Sequence, residues 1–385
     1  MLFPRKHAAV NWIDGMKISR RHFMETEDHF TDAIRDTTSL FLHNYDFGLL
    51  PPFRGQRLSC DFEINERVTR QVEIRLRQCN AITAGGVRIH ILPEAYAEQL
   101  VRSYSFAEEE PQDENQVNYY SVVLSVNPYE RIPAGAPDPM ETPPRHPHVL
   151  NGVELVVLPA EQVTASDMSL HHLVIGQLVR KNGRVSVNDQ YIPPSTAIVS
   201  HPALIRYYEQ LSILLNDIQM SSFRIIEKVT ARDQSTDLAK NIKALCERML
   251  DYISQTFFSY RNMVHQQPPV VMIGVFSNLA HIFYTGLNYP GSRDKEEMLK
   301  YFYEWKDVTP GNFEDLLSKT VDIVYDHYNI RQSMQQVQDC IQVLSALWNK
   351  LSSLEFIGQR RENIVVAEQR TIEQTRARNS WSLLD

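Results

Sequence analysis

The stretch Asp189-Gln190-Tyr191-Ile192-Pro193-Pro194, followed by Ser195 to Pro202, separates two hydrophobic rhythms. Before it, apolar residues alternate with polar ones, the period of half-buried strands. After it they recur at steps of three and four, the period of packed helices. Two adjacent prolines cannot donate to a ladder and fix two φ angles, so residues 191–202 read as a stiff neck linker. Pro202 suits the first turn of the next element, with Ser200 as the expected N-cap. The expected fold class is α+β multidomain. An antiparallel β-sandwich spans residues 1–190, a helical bundle 203–329, and a C-terminal helix with a basic tail 330–385.

In the first half, Val68, Val72, Ile74 and Leu76 alternate with polar residues as one strand. Gly85-Gly86 marks a turn into Val87, Ile89 and Ile91. Further strands are expected over 117–126, stopped by Asn127-Pro128, and over 153–158 and 173–179. Asn182-Gly183 is a tight-hairpin signal into Val185 to Asn188. Short strands without intervening helices mean an antiparallel fold. An acidic segment over 105–116 and a proline-rich one over 131–147 read as exposed loops.

Ahead of these strands, Trp12-Ile13-Asp14-Gly15-Met16-Lys17-Ile18 leads through Ser19 to His22-Phe23. Gly15 permits a turn with positive φ, flanked by apolar anchors. Phe30, Ile34, Thr38 and Phe41 follow at helical spacing, so residues 20–42 are expected to form a helix lying on a sheet. Trp12 and Phe23 read first as core residues; the sharper alternative is that this stretch docks a partner.

In the second half, Leu204, Tyr208, Leu211, Leu215, Ile218, Ile225 and Val229 form a heptad seam. Leu238, Ile242, Leu245, Met249 and Tyr252 repeat it on a second helix, antiparallel to the first because the connection is short. A third helix over 270–287 is apolar almost all round, a shorter one spans 295–305, and another, capped by Asn312, runs through Phe313 to Val324. The last seam is Ile330, Met334, Val337, Ile341, Leu344, Trp348 and Leu351. Its flanks are mostly uncharged, so this helix is expected among several others, within the chain or between subunits. Leu204, Leu211 and Ile218 with Ile330, Val337, Ile341, Leu344 and Trp348 supply more apolar edge than one short bundle needs, which makes them the expected oligomer seam.

Chemistry is sparse. A net charge of −8 argues against nucleic acid, and the four cysteines are scattered without a CxxC pair, as free, mostly buried thiols of a reducing compartment. The amino terminus lacks an apolar signal region, and residues 268–287 carry Ser277, Asn278 and His281, so a buried helix is expected there and a soluble, cytoplasmic protein overall. No P-loop, GxGxxG or GxSxG appears. His171-His172 would point to opposite faces of a strand, and His146-Pro147-His148 reads as loop composition. Asp322, Asp326 and His327, read as lying on one helix, are the weak alternative of a metal-dependent hydrolase. Tyr119, Tyr120 and Tyr129 are the candidates for a glycan-binding groove of a phage-tail-like receptor-binding component. No catalytic set, cofactor or metal is expected.

Trp12 to Ile18 with His22-Phe23 resembles the amino-terminal signature of the TssK family, Trp-x-Glu-Gly-Met-x-Leu followed by Pro-Gln-His-Phe. Phe47-Gly48-Leu49 falls at the family's Tyr-Gly or Phe-Gly step. Residues 175–179, Asp189 and Tyr191-Ile192-Pro193-Pro194 resemble its neck-entry motif. The resemblance covers roughly residues 8 to 325; Asp14 stands for the usual Glu, and Ser19-Arg20-Arg21 for the usual lead into His-Phe. It implies a non-catalytic, trimeric baseplate subunit of a type VI secretion system. Its β-sandwich shoulder would clamp the TssF–TssG wedge. The family's head meets the inner-membrane complex, but residues 330–385 are a reduced head region, so that contact is expected through another surface or other partner proteins. Trp12, Gly15, Met16, His22, Phe23, Tyr191, Pro193 and Pro194 are then the expected partner-binding and signature residues.

Overall fold

A computed structural model describes residues 4–68, 71–92, 100–106, 117–163, 170–231, 236–306 and 309–358. It is an α+β structure: one helix, two antiparallel sheets, then a group of helices. Helix α1 (Arg20–Ser39) comes first. The first sheet centres on β3 (Gln71–Ile82), which pairs with β1 (Gly48–Leu49), β2 (Cys60–Val68), β4 (Arg88–Ile91) and β5 (Val101–Ser105). The second has the order β7-β6-β8-β9, from β6 (Val117–Ala134), β7 (His148–Pro159), β8 (His172–Lys181) and β9 (Arg184–Val187). Val72, Ile74 and Leu76 of the first sheet share one core with Val122, Leu124, Leu173 and Ile175 of the second.

Two strand expectations are corrected. Val68 ends β2, whereas Val72, Ile74 and Leu76 belong to β3. Alternation continues through both strands, so periodicity alone could not separate them. Asn127-Pro128 does not stop β6, because the register shifts between Asn127 and Arg131 and the strand runs on to Ala134 against β7. A bulge accommodates the residue that cannot donate, and it also re-aims its neighbours. Asn182 (φ 52°) and Gly183 (φ 75°) form the expected two-residue turn between β8 and β9. Of the two expected loops, residues 135–147 are largely exposed, while most of the acidic segment lies outside the described residues.

The helices are α2 (Pro202–Ala231), α3 (Asp237–Asn262), α4 (Pro269–Asn288), α5 (Ser292–Trp305), α6 (Pro310–Val321) and α7 (Ile330–Ser353). All contribute to one second core. α2 and α3 are antiparallel, with the Tyr208 and Tyr260 hydroxyls each donating to the other's carbonyl at 3.2 and 3.1 Å. α2 and α7 are parallel. Tyr207 Oη donates to Gln335 Oε1 at 3.1 Å, Gln338 Nε2 to Gln210 Oε1 at 2.7 Å, and Ser221 Oγ to Asn349 Oδ1 at 2.7 Å. All three pairs have a sequence separation of 128, as only a parallel pair in constant register allows.

That pairing corrects the expected oligomer seam. Leu204, Leu211, Ile218, Ile330, Val337, Ile341, Leu344 and Trp348 are each 0% exposed within the single chain. The two seams face each other and α3–α6 within the helical core, so these eight side chains are not on the chain's surface. α7 is accordingly a member of the helical group and not a separate reduced head; the basic tail lies outside the described residues. α4 is long and apolar enough to cross a membrane, with mean hydropathy 1.6. Here its Met272, Phe276, Leu279, Ala280 and Phe283 are completely buried in the helical core.

Two helix starts also differ from expectation. Thr309, not Asn312, caps α6 by accepting the Asn312 N–H. At α2, His201 Nδ1 takes the Ala203 N–H at 3.3 Å, while the Ser200 hydroxyl is buried without a partner.

Candidate docking surface

α1 starts at Ser19, whose N–H donates to His22 Nδ1 at 3.2 Å. This ties down one of the amides a helix start leaves unpaired and gives His22 a capping role. Gly15 has φ 78° and turns the preceding segment back, so that Trp12 stacks edge-on to His22 and near Phe23, with centroids 6.0 and 6.4 Å apart.

The helix lies the opposite way round from the expectation. Its buried residues are Asp32, Arg35 and Ser39. Its apolar residues face outward: Phe23 is 58%, Phe30 59%, Ile34 67% and Phe41, just beyond its end, 74% exposed. Trp12 is 49%, Ile13 64% and Ile18 59% exposed. The reading of Trp12 and Phe23 as core residues is therefore corrected. Met16 is half-buried.

A polar cluster holds the helix in this orientation. Asp32 Oδ1 accepts from Arg35 Nη2 at 3.0 Å and from the Tyr129 hydroxyl at 3.0 Å. Its Oδ2 accepts the His7 N–H at 3.0 Å and also the Lys6 N–H. Burial pushes the carboxyl up, but the hydrogen bonds from His7, Arg35, Lys6 and Tyr129 outweigh it and hold the group at about 2. Arg35 Nη1 also reaches the Gly85 carbonyl at 3.4 Å. Arg131, set beyond the β6 bulge, pairs with Asp28 at 2.6 Å and Glu27 at 3.4 Å. Sequence reasoning missed this cluster. Its one signal was the helical spacing of Asp28, Asp32, Arg35 and Ser39, equal in quality to the apolar stripe.

Tyr191, Pro193 and Pro194 are placed elsewhere, between the sheets and the helices. Pro193 and Pro194 are buried and Tyr191 is half-buried, with burial raising its phenol. Leu49 N–H donates to the Pro194 carbonyl at 2.7 Å, and Thr196 N–H returns to the Leu49 carbonyl at 2.9 Å. Gly48 (φ 110°) sits so close that a Cβ there would lie 2.0 Å from the Pro194 oxygen. Ile192 and Ile198 reach into the helical core. The neck is thus a buried plug bonded on both sides, and its residues do not join the Trp12–Phe23 surface.

The alternatives find little geometry. Asp322, Asp326 and His327 follow the end of α6 and do not share a helix. His327 Nε2 donates to the Phe47 carbonyl at 2.8 Å, and its Nδ1 accepts the Tyr325 hydroxyl at 2.7 Å, so both ring nitrogens are committed. Among the described residues no three His, Cys, Asp or Glu side chains come together as a metal site. Tyr120 is buried and Tyr129 is held by Asp32, leaving Tyr119, 46% exposed, alone on the surface.

No protein-family model matches the chain. No curated protein matches it either. Among solved structures, a crystal structure of TssK is similar with a TM-score of 0.50 at 16% identity, over 87% of this chain and 69% of that one. A chain in the cryo-electron microscopy structure of the type VI secretion system TssK-TssF-TssG baseplate subcomplex gives 0.49 at 12% identity, over 88% and 99%. At such identities the likeness concerns the fold, and the fold of this chain is similar to that of TssK.

Proposed function

We propose that this protein is a structural subunit of a type VI secretion baseplate, without catalytic activity, cofactor or metal. In this reading the two-sheet unit, a β-sandwich shoulder, clamps a TssF–TssG wedge. The helical group passes load to the inner-membrane complex through partner proteins on the cytoplasmic side. The observation that carries it is the exposed apolar stripe of Phe23, Phe30 and Ile34 on α1, with Trp12 beside Phe23, on a helix pinned from behind by Asp32, Arg35 and Arg131. A large exposed apolar patch on a well-anchored element is the mark of a protein interface. The TssK-like fold agrees with the reading.

The working unit in this proposal is a homotrimer. Because the heptad seams are internal, we place its interface on outward residues of α2 and α3: Ile213, 63% exposed, Met220, 44%, Phe223, 48%, and Phe258, 72%.

Co-expression with TssF- and TssG-type subunits from the same operon tests the docking role. Phe30→Glu with Ile34→Glu, or Trp12→Ala, is expected to abolish co-purification while leaving thermal unfolding unchanged, since these side chains are exposed. Unimpaired wedge binding by the folded double variant would overturn the assignment of the surface.

A further inference from the structure

We propose that Cys60 and Cys79 are an oxidation site, able to close a reversible cross-strand disulfide at the base of the junction. The two residues face each other across β2 and β3. The adjoining pair, Ser59 and Asn80, carries a backbone hydrogen bond, Asn80 N–H to Ser59 carbonyl at 2.7 Å. Antiparallel ladders alternate, so Cys60 and Cys79 occupy a non-hydrogen-bonded pair, where opposing Cα atoms come to about 4.5 Å. That is within the range a disulfide spans.

Access differs between them. Cys60 is half-buried and lines a cavity of about 460 Å³ together with Ser59, Tyr191, Ser200, His201 and Arg206. Cys79 is 0% exposed. Cys60 is therefore the attacking thiol and Cys79 the resolving one. With a low-molecular-weight disulfide such as oxidised glutathione, Cys60 gives its proton to water and its thiolate attacks one glutathione sulfur, releasing the first glutathione thiolate. Cys79 then loses its proton and attacks the Cys60 sulfur, forming the protein disulfide and releasing the second. Two cysteine thiols lose two electrons, and the reagent disulfide gains them as two thiols. The neighbouring Cys79 thiol and burial push the Cys60 thiol up, with Asp61 adding to the shift, so the exchange speeds up as pH rises.

The position gives the bond a mechanical consequence. Ser59, next to Cys60, donates its hydroxyl to the Ser200 carbonyl at 2.8 Å, just ahead of α2. Closing the disulfide fastens to β3 the strand end that grips the neck. Cys246 and Cys340 sit in the other core, away from this pair.

The test uses the intact chain in native buffer with oxidised glutathione at pH 7 and pH 9, trapped by alkylation and read by peptide mass spectrometry. Expected are a Cys60–Cys79 cross-linked peptide, faster at pH 9, a rise in Tm reversed by dithiothreitol, and Cys246 and Cys340 recovered as free thiols when alkylation is completed in denaturant. Cys60→Ser is expected to abolish both cross-link and Tm shift; Cys246→Ser with Cys340→Ser leaves them. Two results overturn the proposal: both thiols remaining free while the chain is folded, or Cys60 stopping at a stable mixed disulfide with glutathione. Cys79→Ser separates the steps, because it is expected to accumulate that mixed disulfide and no cross-link.

Discussion

His327 and Phe47 join the two halves of the molecule: the imidazole donates to the backbone carbonyl at 2.8 Å, and the rings meet edge-on with centroids 4.8 Å apart. A loop between two helices thereby holds the residue that precedes the first strand. The neck closes the same junction from the other side, through Leu49 and Pro194. With the Ser59 hydroxyl on the Ser200 carbonyl at 2.8 Å, sheets and helices are coupled through several buried contacts.

Burial lowers the His327 imidazole to about 4. In the unfolded chain it titrates near 6.5, so below that pH the unfolded state binds the extra proton. Stability is full above about pH 6.5 and falls as pH drops towards 4, by about 3 kcal/mol in all. Urea unfolding as a function of pH is expected to show this slope, flattened in His327→Gln.

Asp32 titrates in the opposite sense relative to its charge. Held at about 2, it stabilises the fold above about pH 4 and loses that contribution, about 2 kcal/mol, as pH falls from 4 to 2. Asp32→Ala leaves Arg35 buried without its carboxylate and is expected to cost ~3–5 kcal/mol. Hydrogen exchange should show α1 amides losing protection first, because this cluster is what seats the helix.

Gly48→Ala introduces a Cβ 2.0 Å from the Pro194 oxygen at a residue with φ 110°. Neither the strand nor the buried proline can move aside without breaking the Leu49–Pro194 bond. A loss of about 3 kcal/mol or more is expected, measured as a lowered urea midpoint. Gly15→Ala has φ 78° but no neighbouring atom to strike, and should cost less.

Trp348→Ala should cost ~3–5 kcal/mol without changing the oligomeric state, since the indole is enclosed by Phe283 and Phe302 of the same chain. Met220→Glu with Phe258→Glu should do the reverse, converting the proposed trimer to monomer at nearly constant stability. Light scattering coupled to size-exclusion chromatography distinguishes the two.

Much of the architecture was legible because period is a local property. The switch from alternation to heptads around Pro193-Pro194 placed the boundary between sheets and helices, and the Asn182-Gly183 turn lies where its φ preference put it. The β6 bulge was not legible, because a proline signals an interrupted ladder without saying whether the strand resumes. The cap on α2 was missed because α2 begins at Pro202, which makes His201 the residue before it, and His201 Nδ1 takes the Ala203 N–H.

The candidate surface shows the limit most clearly. The sequence alone pointed to a helix over residues 20–42 with an apolar stripe, and to a continuous apolar seam on each of α2 and α7. Which stripe of α1 turns inward was settled only when Tyr129 and Arg131 arrived from a strand a hundred residues away to meet Asp32 and Asp28. Whether the seams meet each other or another subunit was likewise settled by the parallel return of α7 beside α2. Spacing along a chain reports which side chains share a face; what that face touches depends on partners distant in sequence, and only the folded chain brings them together.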